Sequence, residues 1–207
     1  MTDAGAFHEF SPTTLADVLD HDRVMDHGIR PLWSGAPRVA GPAYPVRCPS
    51  RDNLMLHAAI YRAPAGSVVV VEAGDTDYAV AGGNVCAVAQ KRGIAAFVVD
   101  GVVRDLAEAR ANRFPLFARG VIPIPGGKDA IGVLNGPVRC GGVLVAPGDV
   151  VVADEEGIVV VPAPRLGAVL AAARERVAKE APETLEAWEA AHRARIEAIL
   201  REKGFAG

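Results

Sequence analysis

Two apolar runs joined by a helical segment constrain the fold of this chain more than any other feature of its sequence. Residues 67–72 contain four consecutive valines, and residues 94–99 are almost as apolar. Neither run alternates between polar and apolar side chains, which is typical of strands buried on both faces of a parallel sheet. Residues 83–93 between them have helical character and end in a glycine that follows two basic side chains. Strand, helix and strand in this order predict βαβ units and an α/β fold.

Further elements are expected on either side of this unit. Ser11 and Pro12 predict the start of a helix, because serine caps helix N-termini and proline suits the first helical position. Asp52 is expected to cap a helix that runs to about residue 62. The sequence predicts two more helices, over residues 163–180 and 183–203, with a proline between them. Extended segments are expected at 38–48, 138–140, 143–145, 150–153 and 158–161, separated by turn residues.

No internal repeat and no linker divides the sequence, so residues 1–207 are predicted to form one domain. The last predicted helix is highly charged and has only a narrow apolar stripe. A helix of this polarity needs a surface to pack on, and another subunit can supply it. We therefore predict that residues 163–207 form a C-terminal helical extension that packs on a neighbouring subunit.

The composition argues against nucleic-acid and membrane binding. The formal net charge is -3, and no block of lysine and arginine stands out. No uncharged apolar stretch approaches the roughly 20 residues that a membrane span needs. The first residues lack the basic and apolar regions of a secretory signal. The three cysteines are scattered, as expected of buried thiols in a reducing compartment. We expect a cytoplasmic protein.

The segment Asp100-Gly-Val-Val-Arg104-Asp105 is the strongest candidate for a functional site. It follows a predicted buried strand, and ligands of α/β sheets bind outside the carboxyl ends of strands. The guanidinium of Arg104 offers a planar fork to a carboxylate, and Asp105 offers a hard oxygen ligand to Mg²⁺ or Mn²⁺. The residue types also allow a simpler interpretation, in which Asp100 and Asp105 cap the next helix and Arg104 forms a surface ion pair.

A second candidate site is the pair of glycines, Gly82 and Gly83, before a predicted helix. Free backbone N–H groups at a helix N-terminus attract anions, and glycines allow a ligand to approach the backbone closely. Two glycines before a helix also occur as a simple turn. The histidines form no cluster with metal-ligand spacing, so His57 and His192 are expected to be packing or surface residues.

With these motifs in place, the sequence resembles the family that holds the regulator of ribonuclease activity A and the class II aldolases for 4-hydroxy-4-methyl-2-oxoglutarate. The likeness runs from about Thr13 to about Glu180. The resemblance implies a layered β/β/α swivelling-type domain, assembled as a homotrimer or as a hexamer made of two trimers. It rests on ordered matches at 29–33, 74–76, 98–105, 117–120, 141–143, 147–149 and 153–162.

The resemblance also implies site residues. It assigns a divalent metal, Mg²⁺ or Mn²⁺, to Asp105 and to waters, and it places Arg104 against the pyruvate-like part of the substrate. Glu180 is the best match to an acidic catalytic residue that enters the site from a neighbouring subunit. The stretch whose backbone meets the substrate matches Gly82, Gly83, Asn84 and Val85.

One position departs from the family pattern. Aldolase members often carry Glu or Asp directly after the glycine that matches Gly82, whereas this chain has Gly83 followed by Asn84. If that acid relays a proton, the role has moved elsewhere, and Asp100 and Glu180 are the candidates.

The leading hypothesis is a metal-dependent lyase that acts on small 2-oxo acids. It would cleave 4-hydroxy-4-methyl-2-oxoglutarate by a retro-aldol reaction, decarboxylate oxaloacetate, or do both, through a metal-stabilised pyruvate enolate. The alternative is a non-catalytic protein that binds and regulates a ribonuclease. The regulators tend to lack the aspartate of the Arg-Asp pair, so the presence of Asp105 favours the enzyme.

Overall fold

The two apolar runs form neighbouring parallel strands at the centre of a mixed sheet. The structure is a computed structural model that describes residues 4–180 and 184–205. The strands are β1 (Arg30–Pro31), β2 (Val39–Cys48), β3 (Val68–Ala73), β4 (Ala96–Val103), β5 (Leu116–Val121), β6 (Val133–Leu134), β7 (Val138–Cys140), β8 (Val143–Val145), β9 (Val150–Asp154) and β10 (Gly157–Val161).

The main sheet has the strand order β1-β5-β4-β3-β2-β9-β10, and β6 also pairs with β2. Strands β2, β3, β4 and β5 are parallel to one another, whereas β9 pairs antiparallel with both β2 and β10. Strands β7 and β8 form a separate hairpin. The predicted α/β class is therefore confirmed, and so are the βαβ units.

Helices connect the parallel strands, and the predicted N-cap of the first helix is confirmed. The hydroxyl oxygen of Ser11 accepts a hydrogen bond from the N–H of Thr14 at 3.0 Å, as expected of an N-cap. The helices are α1 (Pro12–Ala16), α2 (Leu54–Ala59), α3 (Gly83–Lys91), α4 (Leu106–Ala111), α5 (Leu166–Glu180) and α6 (Leu185–Glu202), with short 3₁₀ turns at Ala4–Glu9, His21–Arg23 and Ala163–Arg165.

One strand is longer than the sequence predicts. The expectation that Asp100 follows the end of a strand is wrong, because β4 continues to Val103 with a register shift between Val99 and Val102. Gly101 lies within this strand. A Cβ atom there would lie 2.5 Å from the Cβ of Ala73, so the glycine allows β3 and β4 to pack closely.

Buried side chains form three clusters. Helices α2, α3 and α4 cover one face of the parallel strands, and the β7–β8 hairpin covers the other. The third cluster holds α5 against the first residues of the described chain and the β9–β10 pair, through Val169, Leu170 and Ala173. The α2, α3 and α4 layer fixes the loops at the carboxyl ends of β2, β3 and β4, where the candidate site lies.

Helix α6 differs from the others because it contains no buried residue. Trp188, Ile196 and Ile199 are among its exposed apolar side chains, and the Trp188 indole stacks on His192. Packing of the C-terminal extension on a neighbouring subunit stays a prediction, although α5 already packs on its own chain. Within 4–180 and 184–205, no helix combines the length and the apolarity that crossing a bilayer requires.

Candidate active site

A small cleft opens where the carboxyl ends of β2, β3 and β4 meet, as expected for a parallel sheet. Its first side, here called the Arg104 wall, consists of Gly82, Asn84 and Val85 at the start of α3 together with Arg104 and Asp105 after β4. Its second side, the Lys128 wall, consists of Asn53, His57 and Lys128. Ala79, Ala81 and Pro125 complete the lining.

Arg104 and Asp105 are held in a defined arrangement at the β4–α4 junction. The N–H of Arg104 donates to the carbonyl of Ala81 at 2.9 Å, and its Nε lies 3.4 Å from Oδ2 of Asp105. The same Oδ2 accepts a hydrogen bond from the N–H of Gly83 at 3.1 Å. These bonds join the start of α3 to the start of α4, so the two predicted site segments meet in space.

Asp105 occupies a strained backbone position. It precedes α4 with φ of 57° and ψ of 42°, in the left-handed region, and its side chain makes no capping hydrogen bond to that helix. Aspartate tolerates this region better than most residues, and such strain is often found at functional sites. Asp105 therefore occupies the N-cap position of α4 but does not cap the helix through its side chain, because its carboxylate turns towards Gly83 and Arg104 instead.

The glycine pair creates space for side chains of the neighbouring loop and helix. A Cβ atom on Gly82 would lie 2.5 Å from Oδ2 of Asp105 and 3.1 Å from Nε of Arg104. A Cβ atom on Gly83 would overlap the carboxylate of Glu108. Gly82 and Gly83 therefore do more than form a turn, because they let the Arg-Asp pair and Glu108 lie over the start of α3.

Asp100 does not take part in this site. Its carboxylate accepts hydrogen bonds from Nε of Arg119 and, at 2.7 Å, from the N–H of Gly141. Arg119 also contacts Asp26 at 3.1 Å, and both carboxylates raise the pKa of its guanidinium. The hypothesis that Asp100 replaces an acid at residue 83 is contradicted, and the acid that the structure places over Gly83 is Glu108.

The Lys128 wall contains the residues that the sequence did not reveal. His57 lies on α2 with its ring half-buried, as expected of a packing residue, and it also lines the cleft. Burial lowers the pKa of His57 to about 4, and the charges of Lys128 and Arg104 act in the same direction. The ring is therefore neutral at pH 7, when it can both donate and accept a hydrogen bond.

A divalent metal fits the donor set of the Arg104 wall. Only Oδ2 of Asp105 is engaged by described residues, which leaves Oδ1 available as a hard oxygen ligand. Mg²⁺ is commonly held by one or two carboxylates and several waters, so a single aspartate with an open cleft beside it suffices. In the described part of the chain, no three His, Cys, Asp or Glu residues cluster as an all-protein metal cage.

Two further groups remain to be placed, Cys86 and Glu180. Burial raises the pKa of the Cys86 thiol on α3 to about 12, so this cysteine is no nucleophile at neutral pH. Glu180, predicted to be catalytic, is the last residue of α5, and its side chain lies outside the described part of the structure.

Several known proteins resemble this chain in sequence. The aldolase/RraA family model matches residues 12–160. A Halalkalibacterium halodurans protein, provisionally named a 4-hydroxy-4-methyl-2-oxoglutarate aldolase, is 39% identical over 84% of this chain and 83% of its own length. A Burkholderia multivorans protein with the same provisional name is 37% identical over 73% of this chain and 95% of its own length.

Solved structures show the same fold. RraAS2 of Streptomyces coelicolor, an unusual member of the RNase ES inhibitor RraA family, has a TM-score of 0.73 at 29% identity and covers 93% of this chain and 96% of its own. RraA from Thermus thermophilis, an RNA-processing inhibitor, has a TM-score of 0.68 at 30% identity, with 74% and 93% covered. The chain belongs to the aldolase/RraA family.

Proposed function

We propose that this protein is a divalent-metal-dependent lyase that cleaves a carbon–carbon bond next to a 2-oxo acid and releases pyruvate. The observation that carries the proposal is the Arg104 wall. It sets a guanidinium, a carboxylate with one free oxygen and the start of a helix around one small cleft. The provisional aldolase names of two relatives, each more than a third identical to this chain, support the same conclusion.

The chain's own groups suit the 2-oxo acid end of such a substrate. The N–H groups of Asn84 and Val85 lie in the first turn of α3, where a helix leaves them without carbonyl partners. They can bind a carboxylate, which the helix N-terminus also favours electrostatically. Arg104 can donate to the same group and adds positive charge where an enolate develops.

Asp105, with waters, would hold the cation. A bound Mg²⁺ or Mn²⁺ supplies Lewis-acid stabilisation of the enolate that both retro-aldol cleavage and decarboxylation produce. Arg104 stays paired with Asp105, so its guanidinium is oriented before the substrate arrives. Because 4-hydroxy-4-methyl-2-oxoglutarate and oxaloacetate yield the same pyruvate enolate, one cleft can process both.

The test is pyruvate release from 4-hydroxy-4-methyl-2-oxoglutarate and from oxaloacetate, each with Mg²⁺, with Mn²⁺ and with EDTA. We expect metal-dependent release above the non-enzymatic background. The ratio of the two rates measures whether aldol cleavage or decarboxylation is preferred. Absence of release from both substrates, in protein that binds Mn²⁺, would overturn the proposed activity.

A second candidate function is inhibition of a ribonuclease, which two of the structural relatives favour by name. A folded protein that associates with a ribonuclease in EDTA and releases no pyruvate would support it. Helix α6 offers a charged surface without buried residues for such a contact. The free oxygen of Asp105 has no evident purpose in this alternative, and for that reason we place the lyase first.

A further inference from the structure

Retro-aldol cleavage needs a base, because the substrate hydroxyl must lose its proton as the carbon–carbon bond breaks. Few side chains that line the cleft can accept that proton. Arg104 and Lys128 are cations that donate hydrogen bonds and accept none, and the amides of the two asparagines are not basic. Asp105 is paired with Arg104 and would hold the metal. Among the described residues of the lining, the imidazole of His57 is the group that is left.

The acids that could replace the one missing at residue 83 lie outside this lining. The carboxylate of Asp100 accepts hydrogen bonds from Arg119 and from the N–H of Gly141. The carboxylate of Glu108 lies over Gly83, but the residue is exposed and does not line the cleft. Neither acid therefore faces the hydroxyl of a substrate that is held between the two walls.

Helix α2 fixes His57 at the cleft. The N–H of His57 donates to the carbonyl of Asn53 at 3.1 Å, so the two side chains lie one helical turn apart, and both line the cleft. Leu56 and Ala59 are completely buried, which sets the rotation of α2. The ring of His57 has no hydrogen-bond partner in the part of the chain that the structure describes. Beside it, Oδ1 of Asn53 is buried without a hydrogen bond, which indicates that a polar ligand group or an ordered water completes it.

The loop that carries Lys128 is anchored to the start of the same helix. Residues 126–130 follow β5 and lie outside any regular element. The N–H of Gly127 donates to the carbonyl of Arg51 at 2.7 Å, and the N–H of Asn53 donates to the carbonyl of Gly127 at 2.9 Å. Nδ2 of Asn53 also donates to the carbonyl of Gly126 at 3.0 Å. Lys128 and His57 are thereby held on one wall by the backbone.

Asp52 joins this loop to α2. Its carboxylate is 4% exposed and accepts hydrogen bonds from the N–H groups of Leu54 at 2.8 Å, of Ala130 at 3.0 Å and of Asp129. Burial opposes ionisation of Asp52, but these N–H groups outweigh it and lower the pKa of the carboxyl. Asp52 is therefore an anion at pH 7.

Burial and three charged side chains act on the ring of His57. Burial, Lys128 and Arg104 lower the pKa of His57 to about 4, and Asp52 opposes them. At pH 7 the ring is therefore present in its neutral form, which can accept a proton. The imidazolium that results is a strong acid in this setting, so it gives the proton up readily to a carbanion.

We propose that His57 is the catalytic base and acid of carbon–carbon bond cleavage. The inference rests on the proposed function, because the Arg104 wall must hold the 2-oxo acid end of 4-hydroxy-4-methyl-2-oxoglutarate. The C4 hydroxyl then faces the opposite wall, where His57 lies. A ring nitrogen takes the hydroxyl proton as the C3–C4 bond breaks. C4 becomes the carbonyl carbon of one pyruvate, and the electron pair of the broken bond passes into the enolate of the other. The imidazolium returns the proton to C3 of that enolate, so two pyruvates form and the ring is neutral again.

The experiment compares two substrates in His57→Gln with saturating Mg²⁺. Oxaloacetate passes through the same enolate but has no hydroxyl proton to lose, and solvent can protonate its enolate. The variant should lower kcat for pyruvate release from 4-hydroxy-4-methyl-2-oxoglutarate about 100-fold or more, as expected for loss of general acid–base catalysis. We expect KM, and kcat for oxaloacetate, to change no more than a few-fold. Binding of oxalate, which carries only the 2-oxo acid end, should be unchanged in calorimetry.

His21→Gln is the matched control, since His21 is exposed in a 3₁₀ turn outside the cleft, and it should change neither rate. Equal losses on both substrates or weaker oxalate binding in His57→Gln would overturn the inference in favour of a structural role, and so would no loss on either substrate. In each of these cases the proposed lyase stands. If wild-type protein releases pyruvate from neither substrate, the proposed function fails and the inference with it.

Discussion

The two walls of the cleft hold their functional groups in different ways. On the Arg104 wall, side chains fix one another. Arg104 and Asp105 are paired, and glycine at position 82 leaves room for both. On the Lys128 wall the backbone of the loop is fixed, because its N–H groups donate to the buried carboxylate of Asp52. The Lys128 side chain itself is exposed. The Arg104 wall is thus held by residues of the cleft itself, whereas the Lys128 wall is held by a residue that does not line the cleft.

The largest expected effect tests the Arg104 wall. Arg104→Ala and Asp105→Ala should each lower kcat/KM for pyruvate release at least about 100-fold, because each removes a preorganised charge from the developing enolate. Steady-state kinetics with matched metal concentrations measure the loss, and circular dichroism controls for folding. The matched control is Arg110→Ala, an exposed arginine on α4 outside the cleft, which should keep wild-type turnover. Wild-type turnover in purified Asp105→Ala would refute the assignment.

A stability measurement tests how the Lys128 wall is attached. Asp52→Asn should lower the free energy of unfolding by about 2 kcal/mol, because an amide offers one acceptor oxygen to N–H groups that now share two. Urea denaturation at pH 7 measures the change. We expect hydrogen exchange to accelerate at residues 127–130 while the start of α3 stays protected. Uniform acceleration across both walls would show that they do not behave as separate units.

The pH dependence of stability tests the burial of His57. Its pKa in the folded state, about 4, lies below the ordinary value of 6.5, so the unfolded chain binds more protons between these values. The contribution of neutral His57 is complete above pH 6.5 and is lost as the pH falls towards 4. We expect wild-type protein to lose more unfolding free energy between pH 7 and pH 5 than His57→Gln. Parallel curves for the two proteins would contradict the burial.

The smallest expected effect concerns Glu108, whose carboxylate lies over Gly83. Gly83→Ala should push the Glu108 carboxylate away from the start of α3. We expect Mn²⁺ binding to weaken a few-fold, because a negative charge near Asp105 is moved. Glu108→Gln removes the same charge and should weaken binding by about as much. Electron paramagnetic resonance of free Mn²⁺ measures the affinity. The double variant should bind no more weakly than either single variant, and additive losses would show that the two residues act separately.

The sequence predicted the Arg104 wall because its groups are close in the chain or lie at recognisable helix starts. Arg104 and Asp105 are adjacent, and Gly82 precedes a periodic helical pattern. The α/β class followed from the valine runs for the same reason, since buried parallel strands leave a local signature.

The Lys128 wall has no such signature. Asn53 and Lys128 come from segments far apart in the sequence, and the fold unites them only through backbone bonds. In the sequence, Asp52 has only the features of an ordinary helix cap. The structure shows that it also binds the loop at residues 129 and 130. The prediction for Asp100 was wrong for the opposite reason, because its local signal was present but misleading. Its Asp-Gly pair resembles a turn, but the close approach of Ala73 explains Gly101 and keeps the segment in the strand.

The attachment of residues 126–130 also bears on how such a protein can change during evolution. Every residue type except proline offers the N–H groups that Asp52 and the carbonyl of Arg51 bind. A substitution at position 128 therefore leaves the anchoring of the loop intact. Mutation can therefore exchange the side chain that lines the cleft at this point while the backbone of the loop and the Arg104–Asp105 pair stay in place.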